Sequence, residues 1–191
     1  MKPINLNPMN PPLNWQDKLP SELPQGWNER AAALCQAQSL TAALRALGGS
    51  FTVKVLYIGE LDWQCNPLGE NHAETAAPQF VRDVLLHLDG VPVVQARSAC
   101  SPQSQAWRGV LDCGTQPLGE RLFDGTLPLK RSAFEFCLME NAGGQDDFRR
   151  PVAARRSYFD WDGEVLELTE YFCRGWRSLC RARICRFCIF L

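Results

Sequence analysis

Two charged side chains stand on strand faces that should be apolar. In the stretch Phe80–Arg97, FVRDVLLHLDGVPVVQAR, two β-rich runs flank Asp89-Gly90, a dipeptide suited to the positive φ angles of a two-residue hairpin turn. Side chains alternate along a strand, so Phe80, Arg82, Val84, Leu86 and Leu88 share one face. Near the other end, in VLELTEYF, Glu170 shares a face with Leu166, Leu168 and Phe172. A strand that buries one face should carry its charges on the other. Each of these strands breaks that rule once, one with a cation and one with an acid.

The chemistry follows from the types. A guanidinium among apolar groups is costly unless an anion meets it, and its planar fork matches a carboxylate. A carboxylate in such a place can accept a hydrogen bond from a hydroxyl or take a proton. Two readings stand side by side. In the structural one, Arg82 and Glu170 form a buried ion pair that sets strand order, although such pairs stabilise little. In the functional one, they lie at opposite ends of a closed apolar pocket and hold a planar ligand with a carboxylate at one end and a hydroxyl at the other.

The elements that must position them are legible in outline. Residues 1–27 contain six prolines and read as an irregular lead-in, with Trp15 and Trp27 as docking points. Asn28 is a candidate N-cap for one helix over 30–47, closed by Gly48-Gly49. A strand follows over 51–58, then the central hairpin, a short helix over 105–111, and a turn at 113–119 that opens another short helix ending near Phe123. One strand is expected over 127–138. A second hairpin, 157–161 and 165–172, turns at Asp162-Gly163. Strands outnumber helices without a βαβ rhythm, so the class is α+β with an antiparallel sheet.

Composition narrows the function. At 191 residues and 46% hydrophobic, the chain has the size and apolar content of one domain with a real core. Residues 174–191 hold five arginines and no acid, so the preceding 173 residues carry −6 against −1 overall. An acidic body argues against nucleic-acid binding, and an anionic ligand must be held by a local pocket. The N-terminus has no apolar run, so no signal peptide is expected. With nine cysteines the expectation is a cytoplasmic protein with reduced thiols. No phosphate loop, HExxH or dinucleotide fingerprint is present.

The order of VRDVLL, QPLGERLF, ARRS and LTEYF resembles the chorismate–pyruvate lyase family, from about residue 35 to 173. The resemblance implies a single antiparallel sheet with helices packed on it and an internal ligand cavity under flaps. It divides the chain into a lead-in (1–27), the lyase-like domain (28–173) and a basic, Cys-rich tail (174–191). The implied reaction eliminates pyruvate from chorismate to leave 4-hydroxybenzoate for ubiquinone synthesis, with no cofactor and no metal. Arg82 matches the arginine that binds the substrate carboxylate and Glu170 the glutamate at the hydroxyl end, the pair that would carry catalysis. Leu118 matches a position whose backbone contacts the ligand, and Leu40 an apolar flap residue. The protein is expected to act as a monomer. The effector domains of some transcription regulators are similar in fold, so a non-catalytic sensor of aromatic acids is the second reading.

Other residues carry weaker signals. Arg155 and Arg156 read as a solvated pair, with help at the second carboxylate of chorismate as the alternative. His87 faces away from Arg82 and reads as structural. Cys113 sits in a turn without a partner histidine spacing that would make it a nucleophile. In the tail, Cys180, Cys185 and Cys188 have a spacing superficially like metal ligands. The same segment is weakly amphipathic and basic, suited to weak contact with an anionic membrane surface. A variable extension is the plainest account of it.

Overall fold

Two Asp-Gly turns frame the molecule, a computed structural model that describes residues 14–22, 27, 29–61, 78–139 and 151–173. In chain order the elements are α1 (Glu29–Cys35), α2 (Leu40–Ala46), β1 (Phe51–Leu61), β2 (Gln79–Leu88), β3 (Val91–Cys100), α3 (Gln105–Leu111), α4 (Leu118–Leu122), β4 (Lys130–Arg131), β5 (Glu135–Leu138), β6 (Pro151–Trp161) and β7 (Glu164–Cys173). Asp89 and Gly90 take φ of 52° and 76°, and Asp162 and Gly163 take 52° and 88°. Those angles match the twist of an antiparallel pair, which is why both hairpins close with two-residue loops.

One sheet holds every strand among the described residues. Its order is β1-β2-β3-β7-β6-β4, with β5 also on β6, and all neighbours are antiparallel. The two hairpins meet where β3 pairs with β7. The α+β class and the single sheet are therefore as the chain's pattern and its resemblance imply. The main core lies between one sheet face and the helices, where Val84, Leu86, Leu88 and Phe172 pack with Leu34, Leu44, Trp107, Leu111 and Leu122.

Two expected elements are broken. The helix predicted over 30–47 is two helices, because Ser39 turns extended (φ −113°, ψ 107°) and its hydroxyl caps α2 by accepting from Ala42 N. A serine offers the backbone that alternative to continuing the helix. The strand predicted over 127–138 is likewise split into β4 and β5. Arg131 lies opposite Phe159 and Glu135 opposite Arg156, so four steps on one strand meet three on β6. One extra residue breaks the ladder, and Ser132 bridges the gap by hydrogen bonds with the Tyr158 backbone.

The helices over the sheet touch closely at one point. A Cβ added to Gly119 on α4 would stand 2.8 Å from Thr41 Oγ1 and 3.3 Å from Thr41 Cβ on α2. Thr41 is buried and β-branched, so it has little freedom to swing aside. Gly119→Ala is expected to lower stability by about 1–3 kcal/mol in denaturant titration. Unchanged stability would mean that α2 and α4 part freely.

Candidate active site

Register places the two misfit charges. Antiparallel partners share a face, so Val84, Ala96, Glu170 and Arg155 form one row across β2, β3, β7 and β6. The adjoining row is Arg82, Ser98, Leu168 and Ser157. Strand β3 stands between Arg82 and Glu170, which at about 4.8 Å per strand separates their backbones by roughly 10 Å. The inward residues of β3 at the centre are only Ala96 and Ser98. Their small side chains hollow the sheet face between the two charges.

That hollow is the floor of a pocket open on one side. The sheet supplies Val53, Arg82, Val84, Leu86, Ala96, Ser98, Arg131, Arg155, Leu168 and Glu170; the α1–α2 corner and α2 supply Gln38, Leu40 and Thr41; Pro117, Leu118, Gly119 and Phe123 come from α4 and its flanks. Arg82, Leu118, Glu170 and Leu40 thus all line one pocket. Pro117 has no side chain that caps α4, which leaves the first amides of the helix, Leu118 among them, without a side-chain acceptor.

The buried Arg82–Glu170 pair is not formed. Glu170, 7% exposed, accepts instead from Arg155 Nε at 2.5 Å. Arg155 is 1% exposed, not solvated, and its Nη1 donates to Cys35 O and Ala37 O at 2.8 and 2.6 Å. Those carbonyls are available because the helix breaks at 36–39. Arg156 points elsewhere, pairing with Glu135 and lying over the Trp15 ring.

Arg82, 2% exposed, donates through Nη2 to Gly114 O and Gln116 O at 2.8 and 3.1 Å, and its buried Nε has no partner. Burial pushes its pKa below the usual arginine value, opposed by the nearby Cys113. Burial and the charge of Arg155 likewise push Arg131 down to about 10, with Glu170 opposing. Three guanidiniums and one carboxylate line the pocket, so its ionised side chains sum to two positive charges. An apolar-walled site with that surplus suits a small organic dianion.

The family profile described as chorismate lyase matches residues 21–178. The chain belongs to the chorismate lyase family. It is therefore a member of a family of lyases, and its curated relatives agree. A "probable chorismate pyruvate-lyase" of Ralstonia nicotianae is 33% identical over 179 residues, covering 83% of this chain and 87% of the relative. Another from Shewanella sp. (strain MR-4) is 35% identical over 144 residues, covering 70% and 73%. The solved effector domain of PhnF from Mycobacterium smegmatis superposes with a TM-score of 0.42 at 15% identity, covering 71% of this chain and 88% of that one. So distant a likeness carries no argument about this lyase family member.

Arg131 and the true place of Arg155 escaped the reading of the sequence. With β6 expected to start at Ser157 rather than Pro151, Arg155 fell outside a strand. Continued two residues back, the alternation puts it on the face of Ser157 and Phe159. His87 lies on β2 opposite Thr52 and Pro92, one step from the pocket-facing positions. The tail cysteines, the basic amphipathic segment and the lead-in up to residue 13 lie outside the described residues. Among those described, Cys35, Cys100 and Cys113 are free thiols, no His/Cys/Asp/Glu cluster could hold a metal, and no helix is long and apolar enough to cross a membrane.

Proposed function

We propose that this chain is a chorismate pyruvate-lyase, which eliminates pyruvate from chorismate to give 4-hydroxybenzoate, the aromatic acid from which ubiquinone is built. The observation that carries the reading is a buried arginine and a buried glutamate in one pocket, kept apart by β3, the glutamate paired with Arg155 and the arginine held only by carbonyls. Arg82 takes the ring carboxylate through the nitrogens its carbonyl partners leave free, beside the Leu118 backbone. Glu170 stands at the hydroxyl end. Its Oε2 is held by Arg155, and Oε1, without a hydrogen bond among the described residues, is free to accept from the ligand hydroxyl.

In this reaction the hydrogen on the hydroxyl-bearing ring carbon leaves as a proton. Its electron pair completes the aromatic ring as the neighbouring carbon–oxygen bond breaks. The departing enolate of pyruvate takes up a proton. Aromatisation drives the step, so the protein need only orient the dianion, exclude water and assist proton movement. We assign Glu170 the orienting role first. Leu40 and the 36–39 corner on one side, and α4 on the other, cover the ligand and make the site a closed cavity. The reaction is assigned to the cytoplasm.

The test is to incubate the purified protein with chorismate in EDTA and quantify both products. Equimolar 4-hydroxybenzoate and pyruvate are expected. Binding of 4-hydroxybenzoate without turnover would overturn the enzyme in favour of an aromatic-acid sensor. Neither turnover nor binding would leave the charged pocket a structural feature.

A further inference from the structure

We propose that Arg131 binds the second carboxylate of the substrate, the one on the enolpyruvyl side chain, and so gives chorismate a contact that 4-hydroxybenzoate lacks. This rests on the lyase reading above and goes beyond it.

The argument is one of charge pairing. Of the four ionised groups lining the pocket, Arg155 and Glu170 neutralise each other. Arg82 and Arg131 have only neutral partners. Arg82 is held by two carbonyls. Arg131 donates through Nε to Ser157 Oγ at 3.1 Å and through Nη1 to Gln38 O at 2.7 Å. Its Nη2 makes no hydrogen bond among the described residues. A guanidinium withdrawn from water with no counter-ion is unfavourable until an anion arrives. Among the described residues the pocket has two cations without an acidic partner, Arg82 buried and Arg131 half-buried, and chorismate carries two carboxylates.

Position decides which carboxylate goes where. Arg131 and Arg155 both lie over the Phe134 ring, at 3.9 and 4.3 Å from its centre, and Arg155 touches Glu170. Arg131 is therefore at the Glu170 end, with β3, β7 and β6 between its strand and that of Arg82. With the ring carboxylate on Arg82 and the hydroxyl on Glu170, the ether oxygen sits on the next ring carbon. Its carboxylate then falls at the Arg131 end. The rings of Phe123, Phe134 and Phe159 surround the guanidinium and fix its plane. Arg155 is the poorer candidate, since its Nε and Nη1 are engaged and its charge is already offset. After elimination the second carboxylate leaves with pyruvate, and 4-hydroxybenzoate has nothing for Arg131 to hold.

The test compares the parent with Arg131→Gln in three measurements: chorismate kinetics, 4-hydroxybenzoate affinity by calorimetry, and melting temperature. A rise of about 30-fold or more in KM for chorismate is expected, with 4-hydroxybenzoate affinity within threefold of the parent. Equal loss of both affinities would overturn the proposal and make Arg131 a structural support, as would no change in either. Should the glutamine variant not fold, Arg131→Lys must show the same split in smaller degree. If the parent itself gives no turnover, the lyase reading fails alone. Chorismate binding to parent and variant then decides Arg131, which stands only if the variant loses chorismate affinity and keeps that for 4-hydroxybenzoate.

Discussion

Arg82→Met is expected to lower kcat/KM for chorismate about 10³-fold while the protein melts within a few degrees of the parent. The kinetic half follows from the carboxylate the guanidinium is placed to hold. Two charge-assisted hydrogen bonds in a desolvated site contribute together about 4 kcal/mol, and about 1.4 kcal/mol corresponds to a factor of ten in rate. The stability half follows from the opposing costs in the empty pocket. Arg82 is 2% exposed and its Nε has no partner, so the fold carries a desolvated cation that methionine would remove. Against that, Gly114 O and Gln116 O lose their donor, a cost of about 1–3 kcal/mol each where they are shielded from water. The two effects offset. Steady-state kinetics with calorimetric melting checks both halves. A variant that keeps its activity would remove Arg82 from the site, and one that melts far lower would make it a structural residue.

The second large effect is on stability and turnover together. Glu170→Gln leaves the Arg155 guanidinium, 1% exposed, without a counter-charge. Breaking a buried pair on one side costs about 3–5 kcal/mol, which for a domain of this size is a drop of about 10 °C in Tm. The amide must also give its oxygen to Arg155, so it offers the ligand an N–H where the hydroxyl needs an acceptor. In the orienting role, turnover and 4-hydroxybenzoate affinity therefore fall together, each by about tenfold or more. Loss of turnover with unchanged product affinity would instead make Glu170 the base. Adding Arg155→Met to Glu170→Gln removes the stranded charge and is expected to recover part of the lost melting temperature but none of the turnover. Recovery is partial because Cys35 O and Ala37 O still lose their donor.

Much of the frame was legible because it is local. An Asp-Gly pair tolerates positive φ wherever it stands, and period-two alternation assigns faces without knowledge of the partner strand. Those two facts alone gave both hairpins, the apolar face of β2 and β7, and the misplacement of Arg82 and Glu170 on it. The family resemblance added Leu118 and Leu40, and the structure puts all four residues around one pocket.

What the sequence by itself could not determine was which charge meets which. Arg82 and Glu170 could be each other's partners or the two ends of a pocket, and the choice depends on register between β3 and β7, segments some seventy residues apart. That register sets Ala96 opposite Glu170 and Arg155 on its far side, and no local propensity encodes it. The same holds for the break at Ser39. A serine announces that it can cap a helix, but only the packed structure shows that breaking there turns Cys35 O and Ala37 O toward the buried Arg155 and Gln38 O toward the half-buried Arg131. Local chemistry determined the strands, their turns and their faces. Long-range pairing decided the charges of the site, because desolvation and counter-charge depend on neighbours that only the folded chain brings together.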